Sequence, residues 1–448
     1  MSTKGMKQVY FLGIGGIGMS ALARYYHSQG AEVSGYDRTP SPLTKQLENE
    51  GMAIHYEDNP ALLPALIDNV IYTPAVPKDL KELVEIQRRG IPVMKRAEAL
   101  GAVSKAHFTI AVAGTHGKTT TTAMVAHILK ENGVDMTAFI GGIANNFNSN
   151  FHLGKTEDAI LVAEADEFDH SFLQLAPDIS VINSIDADHL DIYGDKKHLK
   201  DSFNQFANLT TRCVISKENL PIEVTNANHH RFGFESNNDF RAVNIRQDNG
   251  ETDFDLEYHG TSTPIHLMMA GLHNVLNATA AFSATLEFGL EAKGIATALS
   301  TFRGVKRRFD IKVKNSRYCY IDAYAHHPEE IKSCLSAIKA SFPSKKVTLV
   351  FQPHLFTRTR DFMEDFAQSL AMADNLILLN IYPAREKPIE GITSQALLDK
   401  IQIKNKCLCP KEALIETIAE RKPELLVTMG AGDIDRFVEP LQTMINQW

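Results

Sequence analysis

Short apolar, β-branched-rich runs recur along this chain, each closed by a glycine or proline turn, and several lead into a helical pattern. Such runs read as buried parallel strands followed by crossover helices. Val9 to Leu12, Glu32 to Tyr36, Asn69 to Tyr72 and Ile91 to Met94 form a first set, with an amphipathic helix from about Met19 to Ser28. Phe108 to Ala113, Ala159 to Ala163 and the run beginning at Ile179 form a second. Between Cys213 and Met269 the spacing shortens and turn signals multiply, which predicts an antiparallel insertion. A long helix is predicted over Gly271 to Gly289, then a third strand set at Tyr318 to Asp322, Lys346 to Phe351, Asn375 to Asn380 and Glu424 to Met429. The expected class is α/β in three domains, 1–104, 105–307 and 308–448. The first and last should be Rossmann-like, and the central one a parallel sheet of the phosphate-loop type.

The chemistry gathers where these strands end. Phe108 to Ala113 runs into Gly114, Thr115, His116, Gly117, Lys118, Thr119 and Thr120. This is a G-x-x-G-K-T loop, shorter than the standard phosphate loop, which wants glycine where Val112 stands. Its backbone N–H groups and the following helix start would cradle a polyphosphate. Lys118 would reach the outer phosphates, and the Thr119 hydroxyl would ligate magnesium. The loop is expected to be exposed, so that Lys118 is replaceable without loss of the fold. Glu164, Asp166, Glu167 and Asp169 follow the next strand, and Glu164, nearest to it, is the first candidate for magnesium. Asp186, Asp188 and His189 follow the third strand, where His189 either binds metal or phosphate or is structural.

At the start, Gly13, Gly15 and Gly18 make G-x-G-x-x-G after a strand, with Asp37 placed as the acidic ribose contact. A diphosphate belongs on this helix N-terminus, and NAD, FAD or a UDP-sugar would all fit. His273, Asn274 and Asn277 open the long helix, where they read an adenine edge or cap the helix. Arg303, Lys306, Arg307 and Arg308 either face solvent or close over phosphates. The last strand set ends in Tyr324, His326, His327, His354, Arg358 and Arg360, a cationic, hydrogen-bonding set suited to a carboxylate.

The formal charge of −8 and the lack of a basic run argue against nucleic acid or an anionic membrane surface. No apolar run reaches the length of a membrane span, and the N-terminus has no signal-peptide layout. The five cysteines are scattered, with Cys407 and Cys409 unmatched by a second pair. No zinc motif and reduced thiols in the cytoplasm are expected.

Taken in order, GIGGIGMSALA, AGTHGKTTTT, EADEFD, DADHLDIYG, GLHNVLNATAA, GVKRRF, DAYAHHP and QPHLFTRTRD resemble the Mur ligase family of peptidoglycan synthesis, over nearly the whole chain. The resemblance implies domains for a UDP-sugar, ATP and an amino acid. It points to the branch that joins L-alanine to the lactyl carboxylate of UDP-N-acetylmuramate through an acyl phosphate, giving ADP and phosphate. It implies that Lys118 steadies the phosphates, that Thr119 and Glu164 hold one Mg²⁺, and that His189 helps hold a second. Asn277 with His273 would take adenine, and Arg307 would sit near the nucleotide. Gly15, Gly16, Ile17 and Gly18 would cover the UDP diphosphate. Tyr324, His326, His354 and Arg358 would line the alanine pocket. Leu355 stands where alanine ligases often have arginine, and Ala323 and Ala325 replace an aspartate and a glycine. Asn204 lies near the place where relatives that add later residues carry a carbamylated lysine. Two alternatives remain: a recycling ligase that adds a murein tripeptide to the same sugar, and an NAD-dependent oxidoreductase. The second phosphate loop and the metal-type acids argue against the oxidoreductase.

Overall fold

A computed structural model of the chain describes residues 6–186, 196–384 and 386–448. Among these, the strands form sheets of five, ten and six members. By contact density the chain divides into two compact units. The first comprises residues 1–243, 255–265 and 276–302, the second residues 244–254, 266–275 and 303–448.

The five-stranded sheet runs in the order Ala53–His55, Glu32–Tyr36, Gln8–Leu12, Asn69–Tyr72, Val93–Lys95, all parallel. Strand order reverses beside Gln8–Leu12, so the glycine turn after Leu12 opens at the switch point where such sheets take ligands. Tyr25, Tyr26 and Val33 from this segment pack in one apolar core with Phe139, Leu161 and Ala163 of the next.

In the ten-stranded sheet, Thr109–Ala113 lies between Ile179–Ile182 and Ile160–Ala165. The parallel register pairs Ala113 with both Ile182 and Ala165, so the three loops that follow leave one sheet edge at the same level. Ile160–Ala165 runs past Ala163, which puts Glu164 inside the strand and not after it. The region from Cys213 also differs from expectation. Cys213–Lys217 and Asn228–Gly233 continue the parallel sheet, and Phe240–Asp248 pairs parallel with the latter. Only then do two-residue turns, Asn249-Gly250 and His259-Gly260, link Phe240–Asp248, Glu251–Tyr258 and Thr261–Leu267 as hairpins, which parallel strands cannot form.

In the six-stranded sheet only Asp310–Lys314 is antiparallel. Met429 pairs with both Ala323 and Phe351, so the loops after Cys319–Ala323, Val347–Phe351 and Leu425–Met429 also leave at one level. Among the described residues, no helix is long and apolar enough to cross a membrane.

Candidate active site

The phosphate loop is built by two glycines in the left-handed region. Gly114 has φ 129° and Gly117 has φ 80°. A Cβ on Gly117 would sit 2.5 Å from Asn277 Oδ1, and one on Gly114 would sit 2.8 Å from the Ser184 nitrogen. Both positions therefore exclude side chains for space as well as for dihedral angle. Gly117 caps the helix Lys118–Glu131 with no side-chain hydrogen bond, which leaves its first N–H groups for a ligand. The loop is fixed from below by Ser184, whose hydroxyl accepts from the His116 N–H at 2.8 Å and bonds the Thr115 hydroxyl at 2.8 Å.

Lys118 is not exposed. Its Nζ donates to the Gly114 carbonyl at 2.6 Å and to the two Glu167 oxygens at 3.0 and 2.8 Å. The side chains are 13% and 1% exposed. Burial pulls the ammonium down, but the carboxylates of Glu167, Glu164 and Asp166 outweigh it and hold Lys118 above its ordinary value. Burial pushes Glu167 up, against the pull of Lys118. Glu167, Glu164 and Asp166 all bear on this ammonium, Asp166 being shared with Arg96 at 3.0 Å, and hard carboxylate oxygens of this kind suit a divalent cation. Glu164 accepts from the Gly141 N–H at 3.0 Å, and a Cβ on Gly141 would lie 2.2 Å from that carboxylate. With the buried Thr119 hydroxyl, Glu164 supplies the hard oxygen donors magnesium prefers, so the residues present fit that ion. His189 and Asp188 lie outside the described residues. Asp186 is 3.6 Å from His116 Nε2.

Asn277 lies at the phosphate loop, where it accepts from the Thr121 hydroxyl at 3.2 Å; Thr121 in turn accepts from Asn183 at 3.0 Å. It lies within the helix Leu272–Phe288, five residues past its first. His273 counts with the second unit, where burial lowers its imidazole to about 4.

At the first sheet, Gly16 caps the helix Ile17–Ser28 without a side-chain bond. Asp37, expected at a ribose, here accepts from the Gly15 N–H at 2.7 Å and so fixes the glycine turn. A Cβ on Gly18 would lie 2.5 Å from Arg96 Nη1. Arg96 also bonds Asp166 at 3.0 Å, and the sequence reading missed this cation beside the helix start.

In the second unit Tyr324, His326, His354 and Tyr382 form a run of rings. Centroids are 5.1 Å apart for Tyr324–His326, 6.4 Å for His326–His354 and 5.7 Å for the stacked His354–Tyr382. Burial, then the Arg358 charge, lowers His354 to about 4, and the same causes lower His326. Both imidazoles are therefore neutral at physiological pH, with Arg358 as a cation near them. Arg358 rides on the helix Phe356–Asp361, whose Thr357 N–H donates to Glu386 at 2.9 Å. Leu355 enters this helix at φ 71°, a strained setting for a residue with a side chain.

Arg307, expected near the nucleotide, is held by its own unit. It donates to the Gly430 carbonyl at 2.6 Å and to Asp322 at 3.3 Å, and both it and Arg308 lie 5.2 Å from the Tyr324 ring. Asp322 is fully buried and also accepts from Thr428 at 2.7 Å. It was read only as the end of a strand.

Family models match three successive stretches: the Mur ligase family catalytic domain at residues 8–108, the Mur ligase middle domain at 112–285, and the Mur ligase glutamate ligase domain at 307–432. The chain belongs to the Mur ligase family. This Mur ligase is 46% identical over 459 aligned residues to the UDP-N-acetylmuramate–L-alanine ligase of Cytophaga hutchinsonii, covering 100% of this chain and 98% of that one. It is 48% identical to the enzyme of that name from Christiangramia forsetii, covering 98% and 97%. Among solved structures, the UDP-N-acetylmuramate–alanine ligase of Thermotoga maritima superposes with a TM-score of 0.86 at 29% identity, covering 99% of both chains. A murein peptide ligase from Psychrobacter arcticus shares the fold, with a TM-score of 0.74 at 24% identity and the same coverage.

Proposed function

We propose that this Mur ligase joins L-alanine to UDP-N-acetylmuramate with ATP, a step of peptidoglycan precursor synthesis. The end-to-end likeness to alanine ligases carries this reading. A carboxylate is a poor acyl donor, so the lactyl carboxylate first attacks the γ-phosphorus of ATP. ADP leaves and an acyl phosphate forms. The neutral amine of alanine then attacks the acyl carbon, phosphate departs, and the amine proton passes to solvent.

The residues fit these steps. The Gly114–Thr120 loop and its uncapped helix start bind the phosphates through backbone N–H groups. Lys118 is pre-oriented by Glu167 toward the transferring phosphoryl group, where a fixed cation acts without reorganisation. We assign Mg²⁺ to Thr119 and Glu164. The ion would neutralise the phosphate oxygens as the two anions meet. Gly15–Gly18, with Arg96 beside them, take the UDP diphosphate. Arg358 binds the alanine carboxylate, and the neutral His326 and His354 line its pocket without repelling an ammonium. The UDP-sugar, ATP and amino-acid sites are assigned to residues 1–104, 105–307 and 308–448, and the enzyme to the cytoplasm, where ATP is made.

The test is phosphate release from ATP, Mg²⁺ and UDP-N-acetylmuramate, comparing L-alanine with the L-Ala-γ-D-Glu-meso-diaminopimelate tripeptide. Release with alanine is expected. Release only with the tripeptide would overturn the assignment in favour of the recycling reaction.

A further inference from the structure

Away from these sites, three side chains from distant parts of the chain converge in the first unit. Cys213 begins the strand Cys213–Lys217, and His230 lies in the adjacent parallel strand Asn228–Gly233. Ile215 pairs with His230. Residues two apart on a strand share a face, so Cys213 and His230 look out from the same side of the sheet. Glu287, in the last turn of the helix Leu272–Phe288, reaches the same place. One ligand atom from each of the three lies within 4.8 Å of the others. His230 Nε2 and Glu287 Oε1 are 3.7 Å apart. A tetrahedral zinc with ordinary bond lengths separates its ligand atoms by roughly 3.3–3.8 Å, so small rotamer changes would close the set.

A second observation points the same way. His230 Nδ1 is buried with no hydrogen-bond partner among the described residues, and it lies 3.9 Å from Asp239 Oδ1. The other Asp239 oxygen is fixed by the Arg231 N–H at 2.7 Å. At 3.9 Å Asp239 is not hydrogen-bonded to this nitrogen, but a small rotation of the ring would bring it into the carboxylate–imidazole arrangement that orients metal-ligating histidines, with the other nitrogen toward Glu287. Like any thiol near neutral pH, Cys213 keeps its proton unless a cation displaces it.

We propose that Cys213, His230 and Glu287 form a site for one zinc-class divalent cation, with water as the fourth ligand, that fastens the last turn of this helix to the sheet. Binding breaks the Cys213 S–H bond, forms a metal–sulfur bond and releases the proton to solvent. Thiolate, imidazole and carboxylate together select zinc over magnesium. The cysteine spacing predicted no such motif, because its members stand at positions 213, 230 and 287 and only the fold assembles them.

The test uses the full chain, stripped with chelator and titrated with Co²⁺ under excess Mg²⁺, which saturates the hard-oxygen sites. The expected result is one equivalent bound with a thiolate-to-cobalt charge-transfer band, displaced by Zn²⁺, and a Zn²⁺-dependent rise in Tm. Cys213→Ser abolishes the band, and His230→Gln and Glu287→Gln each weaken binding at least tenfold. If Cys213→Ser does not fold, the partly exposed Glu287→Gln carries the test. A Cys407→Ser/Cys409→Ser variant keeps the band. Its absence from the parent protein, its survival in Cys213→Ser, or its loss in the Cys407/Cys409 variant would overturn the site.

Discussion

Replacing Lys118 by methionine tests whether the phosphate-loop lysine is also part of the core. The Nζ–Oε2 distance to Glu167 is 2.8 Å, which at an effective dielectric of ~20 is an attraction of about 6 kcal/mol. Desolvation offsets part of this, and removing one partner of a buried pair costs about 3–5 kcal/mol because the other charge is stranded. At roughly 2–4 °C per kcal/mol for a large domain, Tm should fall by about 6–20 °C. The deficit has a pH signature. Without Lys118, burial and then the Asp166 charge act on Glu167 against only a backbone hydrogen bond, so its folded pKa stays raised above the unfolded value. The folded state then holds the proton more tightly, and the variant regains stability as pH falls from that raised pKa toward the ordinary carboxylate range. Adding Glu167→Gln removes the stranded charge and should restore most of the loss at neutral pH, while ligation stays abolished. Thermal unfolding of the parent, both single variants and the double variant gives the cycle. A Lys118→Met protein as stable as the parent, or a double variant no more stable than Lys118→Met, refutes the buried-pair reasoning.

Other outcomes follow from the same geometry. Arg358→Ala should raise the KM for alanine about tenfold to hundredfold, as expected for a lost charged hydrogen bond of about 1.5–3 kcal/mol, and leave the KM for ATP nearly unchanged; equal effects on both would remove Arg358 from the carboxylate role. The same change should let the His354 imidazole, lowered to about 4 by burial and then by Arg358, titrate at higher pH in an NMR titration. Because His273 and His354 are both depressed to about 4, the unfolded chain takes up their protons first on acidification. Stability of the second unit should therefore decline as pH drops from 6.5 toward 4, and a His354→Gln variant should show a shallower decline in urea midpoint. Gly117→Ala should abolish nucleotide binding in calorimetry, since its Cβ would press on Asn277 and its φ of 80° disfavours any side chain.

Much of this architecture was legible in the chain. The strand carrying the phosphate loop and the four C-terminal strands fall within a few residues of their expected ends, because runs such as Val347–Phe351 are apolar throughout and stop at a turn residue. Parallel strands then force their following loops to one edge, which is why spacing placed Lys118 and Arg358 just beyond a strand end in their respective sheets. What was not legible depends on side-chain direction. EADEFD offers four acids, and which one meets Lys118 depends on the strand running to Ala165. Glu164 then turns to Gly141, and Glu167 reaches Lys118. Asp322 and Arg96 were passed over because their partners, Arg307 and the Gly18 turn, lie on other elements. The parallel pairing of Asn228–Gly233 was hidden because polar NHHR looks like a solvent-facing hairpin.

The apolar core that the first segment shares with Phe139, Leu161 and Ala163 matters before the enzyme is complete. A nascent chain can pair the strands of the five-stranded sheet once residue 95 has emerged from the ribosome. Tyr25, which meets Phe139 at 5.8 Å in the finished protein, must then wait for its cover. At about 5–20 residues per second, the roughly sixty residues from Val103 to Ala163 take about 3–12 s to synthesise. During that interval the aromatic face that Phe139, Leu161 and Ala163 later cover has yet to receive them, so the first sheet is completed by chain made well after its own strands.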